Sequence, residues 1–129
     1  MKRRLFFVGL LTLAPLSAQE GHPLVGSWHG TWGPDANHRT NITFLLNYDG
    51  QNITGTLNPG PDAARLQQAT LDPSDWSIHL EADVKDRLGK TLHVVFDGKI
   101  QDVTSAHRRI AGAWTQGAAK GDFNVTRDD

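Results

Sequence analysis

Short runs in which apolar and polar residues alternate recur through most of this chain, separated by turn residues. Alternation with a period of two predicts a β-strand that buries one face and exposes the other. The clearest run covers residues 76–84, where every second side chain is apolar. Eight strands are predicted in this way, over residues 24–32, 41–48, 52–57, 65–71, 76–84, 91–100, 108–115 and 122–127.

Turn signals separate these runs about every twelve residues, a spacing typical of antiparallel sandwiches and barrels. Asp49-Gly50 predicts a hairpin, because glycine accepts the positive φ of a tight turn. No convincing amphipathic helix follows Ala18. The prediction is an all-β fold, an eight-stranded antiparallel up-and-down barrel, because closure removes the exposed edges that a sandwich retains.

The N-terminus has the pattern of a secretory signal peptide. A basic start at residues 1–4 precedes an apolar run over 5–13 and the small-residue site Leu16-Ser17-Ala18. Cleavage after about Ala18 leaves one domain over residues 19–129 and predicts a secreted or periplasmic protein. The pattern fits a bacterial exporter at least as well as a eukaryotic one, and an uncleaved anchor is the alternative.

Composition narrows the function classes. The chain has 129 residues and no cysteine, and loss of three cations with the signal peptide takes its net charge from −1 to −4. These values exclude a multidomain enzyme, a membrane channel, a basic nucleic-acid binder and a disulfide-built miniprotein. We predict no nucleic-acid partner and no membrane span in the mature chain.

The two ends of the chain carry a resemblance to a known family. Gly26-Ser27-Trp28 resembles the Gly-x-Trp signature of the calycins, which include lipocalins, fatty-acid-binding proteins and avidins. The resemblance implies that Trp28 packs beneath Arg127 at the closed end of the barrel. The chain also resembles small secreted bacterial lipocalin-like domains in its repeated Gly-x-Trp and Thr-Gly-Thr motifs, at Gly26-Ser27-Trp28, Gly30-Thr31-Trp32, Thr54-Gly55-Thr56 and Gly112-Ala113-Trp114. Gly30 stands where an avidin needs a polar residue, so a biotin site is not expected.

Inward-facing positions follow from the alternation once Trp28 is placed inside. The predicted interior is Trp28, Ile42, Phe44, Leu46, Tyr48, Ile53, Leu57, Trp76, Ile78, Leu80, Leu92, Val94, Phe96, Ile110, Trp114, Phe123 and Val125. These side chains either fill the barrel or leave a cavity for a lipophilic molecule, because small barrels do both.

The leading functional hypothesis is binding of a small hydrophobic or amphiphilic ligand in the barrel. Calycin topology places residues 33–40, 58–64, 85–90 and 116–121 at the open end, where these loops together with Arg65 hold six cationic and three acidic residues. Such a rim suits an anionic head such as that of a fatty acid. The predicted wall is Trp32, Phe44, Leu80, Val94 and Trp114, and the predicted mouth is His38, Arg39, Arg65 and Lys90.

Two other function classes stay open. In one, a packed barrel acts as a protein- or glycan-interaction module, for example an inhibitor, through its loops or outer face. In the other, His38 in the first loop serves a small barrel enzyme, although no catalytic motif occurs in the chain. We predict no cofactor and no metal site.

The remaining histidines include two on a predicted outer face. One register pairs His79 with Asp97 and His93 with Asp83 on adjacent strands. Such pairs are expected to be solvated surface contacts.

Overall fold

Eight antiparallel strands form the whole regular structure of residues 22–128, the part of the chain that the computed structural model describes. The strands are β1 (Gly26–Asp35), β2 (His38–Tyr48), β3 (Ile53–Leu57), β4 (Ala64–Asp72), β5 (Ser77–Lys85), β6 (Thr91–Gln101), β7 (Arg109–Gln116) and β8 (Ala119–Asp128). Each strand pairs with the next, and β8 pairs with β1 to close a barrel. The predicted all-β, eight-stranded antiparallel barrel is confirmed. The predicted signal peptide lies outside the described residues.

Strand ends differ from the prediction at three turns. Strand β1 runs on to Asp35, which pairs with His38, so most of the predicted loop over 33–40 is a tight hairpin. Strand β8 likewise begins at Ala119, which pairs with Gln116 across a second tight hairpin. Trp76 was predicted to begin β5, but it lies in the preceding turn with φ of 61°. These errors arise because turn geometry depends on the register of the two strands as well as on local alternation.

The predicted interior is buried except at its two ends. Tyr48, Ile53, Trp76 and Leu92 are half-buried, and the other predicted interior residues are buried. This agreement follows from the strict alternation of faces along a strand.

Aromatic rings fill the middle of the barrel. Phe44, Phe96 and Phe123 are at most 1% exposed. The Phe96 ring centroid lies 5.1 Å from that of Phe44 and 5.2 Å from that of Phe123, both in edge-to-face geometry. Trp32 extends this cluster towards one end, 5.6 Å from Phe96 and 5.0 Å from Trp114. The packing favours a filled interior over a cavity at this depth.

Two glycines allow strands β6 and β7 to approach closely beside this cluster. Gly98 lies opposite Gly112, and a Cβ on Gly112 would stand 2.1 Å from the carbonyl oxygen of Asp97. A Cβ on Gly98 would stand 3.1 Å from the ring of Phe123. The absence of side chains here makes room for the close approach of the two paired strands and for the aromatic ring.

The chain segment before β1 lies against one end of the barrel. Leu24 is fully buried in the core, and its carbonyl oxygen accepts a 2.9 Å hydrogen bond from Trp28 Nε1. Arg108 donates a hydrogen bond from Nη1 to the carbonyl oxygen of Pro23 at 3.0 Å. Trp28 lies directly opposite Arg127 in the β1–β8 ladder.

Candidate functional site

The opposite end of the barrel carries an open cleft, here called the mouth cleft. It lies between the β3–β4 and β5–β6 loops and has a volume of about 1040 Å³. Its lining residues are Trp32, Leu57, Asn58, Pro59, Pro61, Asp62, Ala63, Ala64, Asp83, Val84, Lys85, Asp86, Arg87, Leu92 and Gln116. Pockets that bind small molecules have volumes of about 300–1,000 Å³, so the mouth cleft lies at the upper end of this range.

Apolar side chains form the inner part of the mouth cleft. Leu57 is buried, whereas Trp32, Val84 and Leu92 are half-buried and therefore present apolar surface to the cleft. Trp32 rests on the aromatic cluster below it, which holds its ring in place. An apolar group that covered these side chains would remove surface from water and gain the corresponding hydrophobic free energy.

Charged side chains lie on the outer part of the cleft. Asp86 Oδ1 accepts backbone hydrogen bonds from Leu88 and Lys90, each at 2.9 Å, so this carboxylate is turned into its own loop. Within the described residues, no hydrogen bond or ion pair engages the side chain of Lys85 or Arg87. These two cations are therefore available to an anionic group, although Asp62 and Asp83 also line the cleft.

The five predicted wall residues lie at different depths. Trp32 lines the mouth cleft, and Trp114 lies directly against it with its Nε1 donating to the carbonyl oxygen of Gly33 at 3.2 Å. The other three, Phe44, Leu80 and Val94, are at most 1% exposed and belong to the packed core. The structure thus brings only the upper part of the predicted wall to the cleft.

The predicted mouth residues lie outside the cleft lining. His38 is exposed in the β1–β2 hairpin, where its Nδ1 bonds Asp35 at 2.8 Å and this bond helps to lower the pKa of the Asp35 carboxyl. Arg39 lies across the outer face, with Nη1 2.7 Å from Asp122 Oδ1. Arg65 and Lys90 are exposed.

A hydrogen-bonded chain of side chains runs along the outer face of β4, β5 and β6, here called the histidine network. Its members are Gln67, His79, Glu81, Asp83, His93 and Asp97. His79 lies opposite Asp97 and His93 opposite Asp83, so the predicted cross-strand pairing is confirmed.

Glu81 joins the two predicted pairs. Its Oε2 lies 2.5 Å from His79 Nε2, and its Oε1 lies 2.8 Å from His93 Nε2. The other ring nitrogens bond carboxylates too: His79 Nδ1 lies 2.5 Å from Asp97 Oδ1, and His93 Nδ1 lies 2.7 Å from Asp83 Oδ1. Both nitrogens of each ring therefore face carboxylate oxygens, and the doubly protonated imidazolium is the form that can donate to both.

The carboxylates shift the titration of both rings. Hydrogen bonds to Glu81 and then Asp97 raise the pKa of His79, and hydrogen bonds to Asp83 and then Glu81 raise the pKa of His93. In return, the histidines lower the pKa of Glu81, and His93 with Gln67 lowers the pKa of Asp83. No group of three histidine or acidic side chains among residues 22–128 is arranged to hold a metal ion.

Sequence reasoning missed two features of these surfaces. Glu81 follows His79 by two residues, so period-two alternation places both on one face, and this signal was available. The flanking loops of the mouth cleft were predicted, but the lining roles of Leu57, Val84 and Leu92 depend on how far each strand extends.

Comparison of this chain with protein families, with curated proteins and with solved structures found no match. Over residues 22–128 no helix has the length and apolar character needed to cross a membrane.

Proposed function

We propose that this protein is an exported calycin-like barrel that binds a small amphiphile with an anionic head in the mouth cleft. The observation that carries the proposal is the cleft itself, an open space of about 1040 Å³ with apolar side chains inside and two unengaged cations outside. The Gly-x-Trp motif and the position of Trp28 opposite Arg127 support the calycin-like assignment, and the N-terminal pattern supports export.

The proposed ligand follows from the order of the side chains. An acyl chain would lie against Trp32, Val84 and Leu92, where burial of each methylene contributes about 0.8 kcal/mol. A carboxylate head would meet Lys85 and Arg87 at the rim. The filled core below Trp32 limits the depth of the site, so the chain is expected to bend along the cleft rather than enter the barrel.

The test is a fluorescence titration with dodecanoic acid, since Trp32 lines the site and its emission reports on contact. We expect saturable quenching, with weaker binding of dodecan-1-ol, which has the same chain without the charge. Trp32→Phe keeps an apolar ring and should lose most of the signal change. The absence of saturable binding for both ligands by calorimetry would refute the proposal.

A second candidate function is supported by the packed aromatic core. A barrel filled by Phe44, Phe96 and Phe123 is a rigid scaffold, which suits an interaction module that binds a protein or glycan through its loops. Loss of partner binding on changing loop residues, with no lipid bound by the wild type, would favour this alternative.

A further inference from the structure

A second concave region, here called the side slot, lies at the other end of the barrel from the mouth cleft. It has a volume of about 470 Å³. The side slot is lined by His22, Pro23, Tyr48, Gln51, Asn52, Ile53, Ala69, Thr70, Leu71, Pro73 and Trp76. No residue is shared with the mouth cleft, so the two are separate sites.

The side slot exists because two neighbouring strands diverge. Strand β4 pairs with β3 at only two positions, both near the mouth, and with β5 along most of its length. A bulge between Leu66 and Gln68 interrupts the β4–β5 register, and a bulge increases local twist. Beyond the bulge, Ala69 and Leu71 are half-buried beside Ile53, and this part of the barrel wall is open.

The lining of the side slot contains no aspartate, glutamate, lysine or arginine among the described residues. Its one imidazole, His22, accepts a 3.2 Å hydrogen bond at Nδ1 from Leu24 N, and burial lowers the pKa of this ring. An ion in the side slot would lose hydration without gaining an opposite charge, which is unfavourable. The mouth cleft, in contrast, has charged residues of both signs. The side slot thus selects against charged molecules.

Flat rings line the slot from three segments of the chain. His22 stacks on Tyr48 with ring centroids 4.2 Å apart, and Trp76 approaches from the β4–β5 turn. Ile53 and Leu71 add apolar side chains to the lining, and its polar residues Gln51, Asn52 and Thr70 are uncharged. Aromatic rings gain most from planar partners that can stack or meet them edge to face.

Trp76 occupies a backbone conformation that does not favour tryptophan. Its φ is 61°, and the turn holds it there, since Trp76 N donates to the carbonyl oxygen of Asp72 at 2.8 Å and its own carbonyl accepts from Ile100 N at 2.9 Å. The other described non-glycine residues with positive φ are Asn58 and Asp102, which are types that tolerate this region. Turn stability alone would favour glycine or asparagine at position 76.

We infer that the side slot is a second binding site, specific for a small, uncharged, planar aromatic molecule that contacts Trp76. The strained backbone, the charge-free lining and the strand divergence meet at this one place. Its ligand differs in chemical class from the anionic amphiphile proposed for the mouth cleft, and neither proposal depends on the other.

The experiment uses the full chain and two probes with the same ring system. N-phenyl-1-naphthylamine is uncharged, and 1-anilinonaphthalene-8-sulfonate adds one sulfonate. We expect saturable fluorescence enhancement with the uncharged probe. Trp76→Gly removes the indole while suiting the backbone, so the fold should be kept while affinity falls about tenfold or more. Asp102→Gly is the matched control, because it makes the same backbone change outside the slot and should alter affinity less than about twofold.

A third variant covers the case in which Trp76→Gly affects folding. Ala69→Phe adds bulk to the slot from the half-buried face of β4 and should weaken the uncharged probe to a similar extent. Reversal of the mouth charges by Lys85→Glu with Arg87→Glu should leave that probe unaffected. The inference is overturned if the uncharged probe does not bind, or if Trp76→Gly and Ala69→Phe bind it with the affinity of the wild type. It is also overturned if only the mouth variant abolishes binding of this probe, or if the sulfonate probe competes for the same site with equal affinity.

Discussion

Trp28 and Arg127 lie directly opposite each other in the β1–β8 ladder, at the seam that closes the barrel. The stem of Arg127 lies over Gly26, where a Cβ would stand 2.8 Å from Arg127 Cδ. Arg127 Nη1 also donates to the carbonyl oxygen of Val25 at 3.4 Å. One arginine therefore ties the end of the last strand to the beginning of the first.

Arg127→Ala is expected to lower the free energy of unfolding by about 1–2 kcal/mol, because the packed stem and its hydrogen bond are both lost. Chemical denaturation measures this difference. Arg109→Ala removes an exposed arginine on the neighbouring strand β7, and it should change the free energy of unfolding by less than about 0.5 kcal/mol. Equal unfolding free energies for the two variants would contradict a stabilising role for the seam.

The histidine network predicts a dependence of stability on pH. The folded-state pKa values of His79 and His93 are raised above 6.5, so their stabilisation is fully present below pH 6.5 and is lost as pH rises through the raised values. The pKa values of Glu81 and Asp83 are lowered, so their stabilisation is present above their ordinary values of 4.5 and 3.8 and is lost as pH falls through the lowered values. The histidine network thus stabilises the folded state most in mildly acidic solution.

Glu81→Gln tests this arrangement, because it removes the carboxylate that both rings share. NMR titration of the imidazoles should show both histidine pKa values falling towards 6.5. The loss of stability should be larger at about pH 5.5 than at about pH 8. Asp62→Asn changes a carboxylate outside the network and should leave both titrations as they are in wild type. Unshifted histidines in Glu81→Gln would show that the shared carboxylate does not control them.

The rim cations predict a charge preference in the mouth cleft. Lys85→Glu with Arg87→Glu should weaken dodecanoate binding by about tenfold, since each exposed pairing contributes up to about 1 kcal/mol. Binding of dodecan-1-ol should change little. Lys99→Glu with Arg109→Glu makes the same change in net charge away from the cleft, and isothermal calorimetry compares the two double variants. Similar weakening in both would mean that overall charge, not the rim, attracts the head group.

The close approach of the paired strands β6 and β7 predicts a strong steric effect at one glycine. A Cβ on Gly112 would stand 2.1 Å from Asp97 O and 2.4 Å from Gly98 Cα, and both contacts are backbone atoms that cannot move aside locally. Gly112→Ala should therefore lower the free energy of unfolding by about 3 kcal/mol, seen as a large fall in Tm. Ala113→Ser changes the exposed neighbour and should be close to neutral. A Tm for Gly112→Ala near that of wild type would show that the strands can separate without loss.

The strand pattern and the buried face could be predicted from sequence because both are local properties. The alternation at Ile78 and Leu80 assigns them to the interior whatever the other strands do. The pairing of His79 with Asp97 was one of the registers that the sequence allowed, since two adjacent strands of similar length have few registers that keep their apolar faces inside, and the structure adopts it. Trp76 was assigned to the wrong element because its place in the turn depends on contacts with Asp72 and Ile100.

The sequence by itself determined the fold class, the number of strands and the side of each strand that faces the core, since turn chemistry and period-two alternation act within a few residues. Tertiary structure alone decided where the surface is concave. The mouth cleft depends on the loops that flank it, and the side slot depends on the short pairing of β3 with β4 and on the bulge in the β4–β5 ladder. Both are consequences of register between strands, and register is set by the packing of the whole barrel.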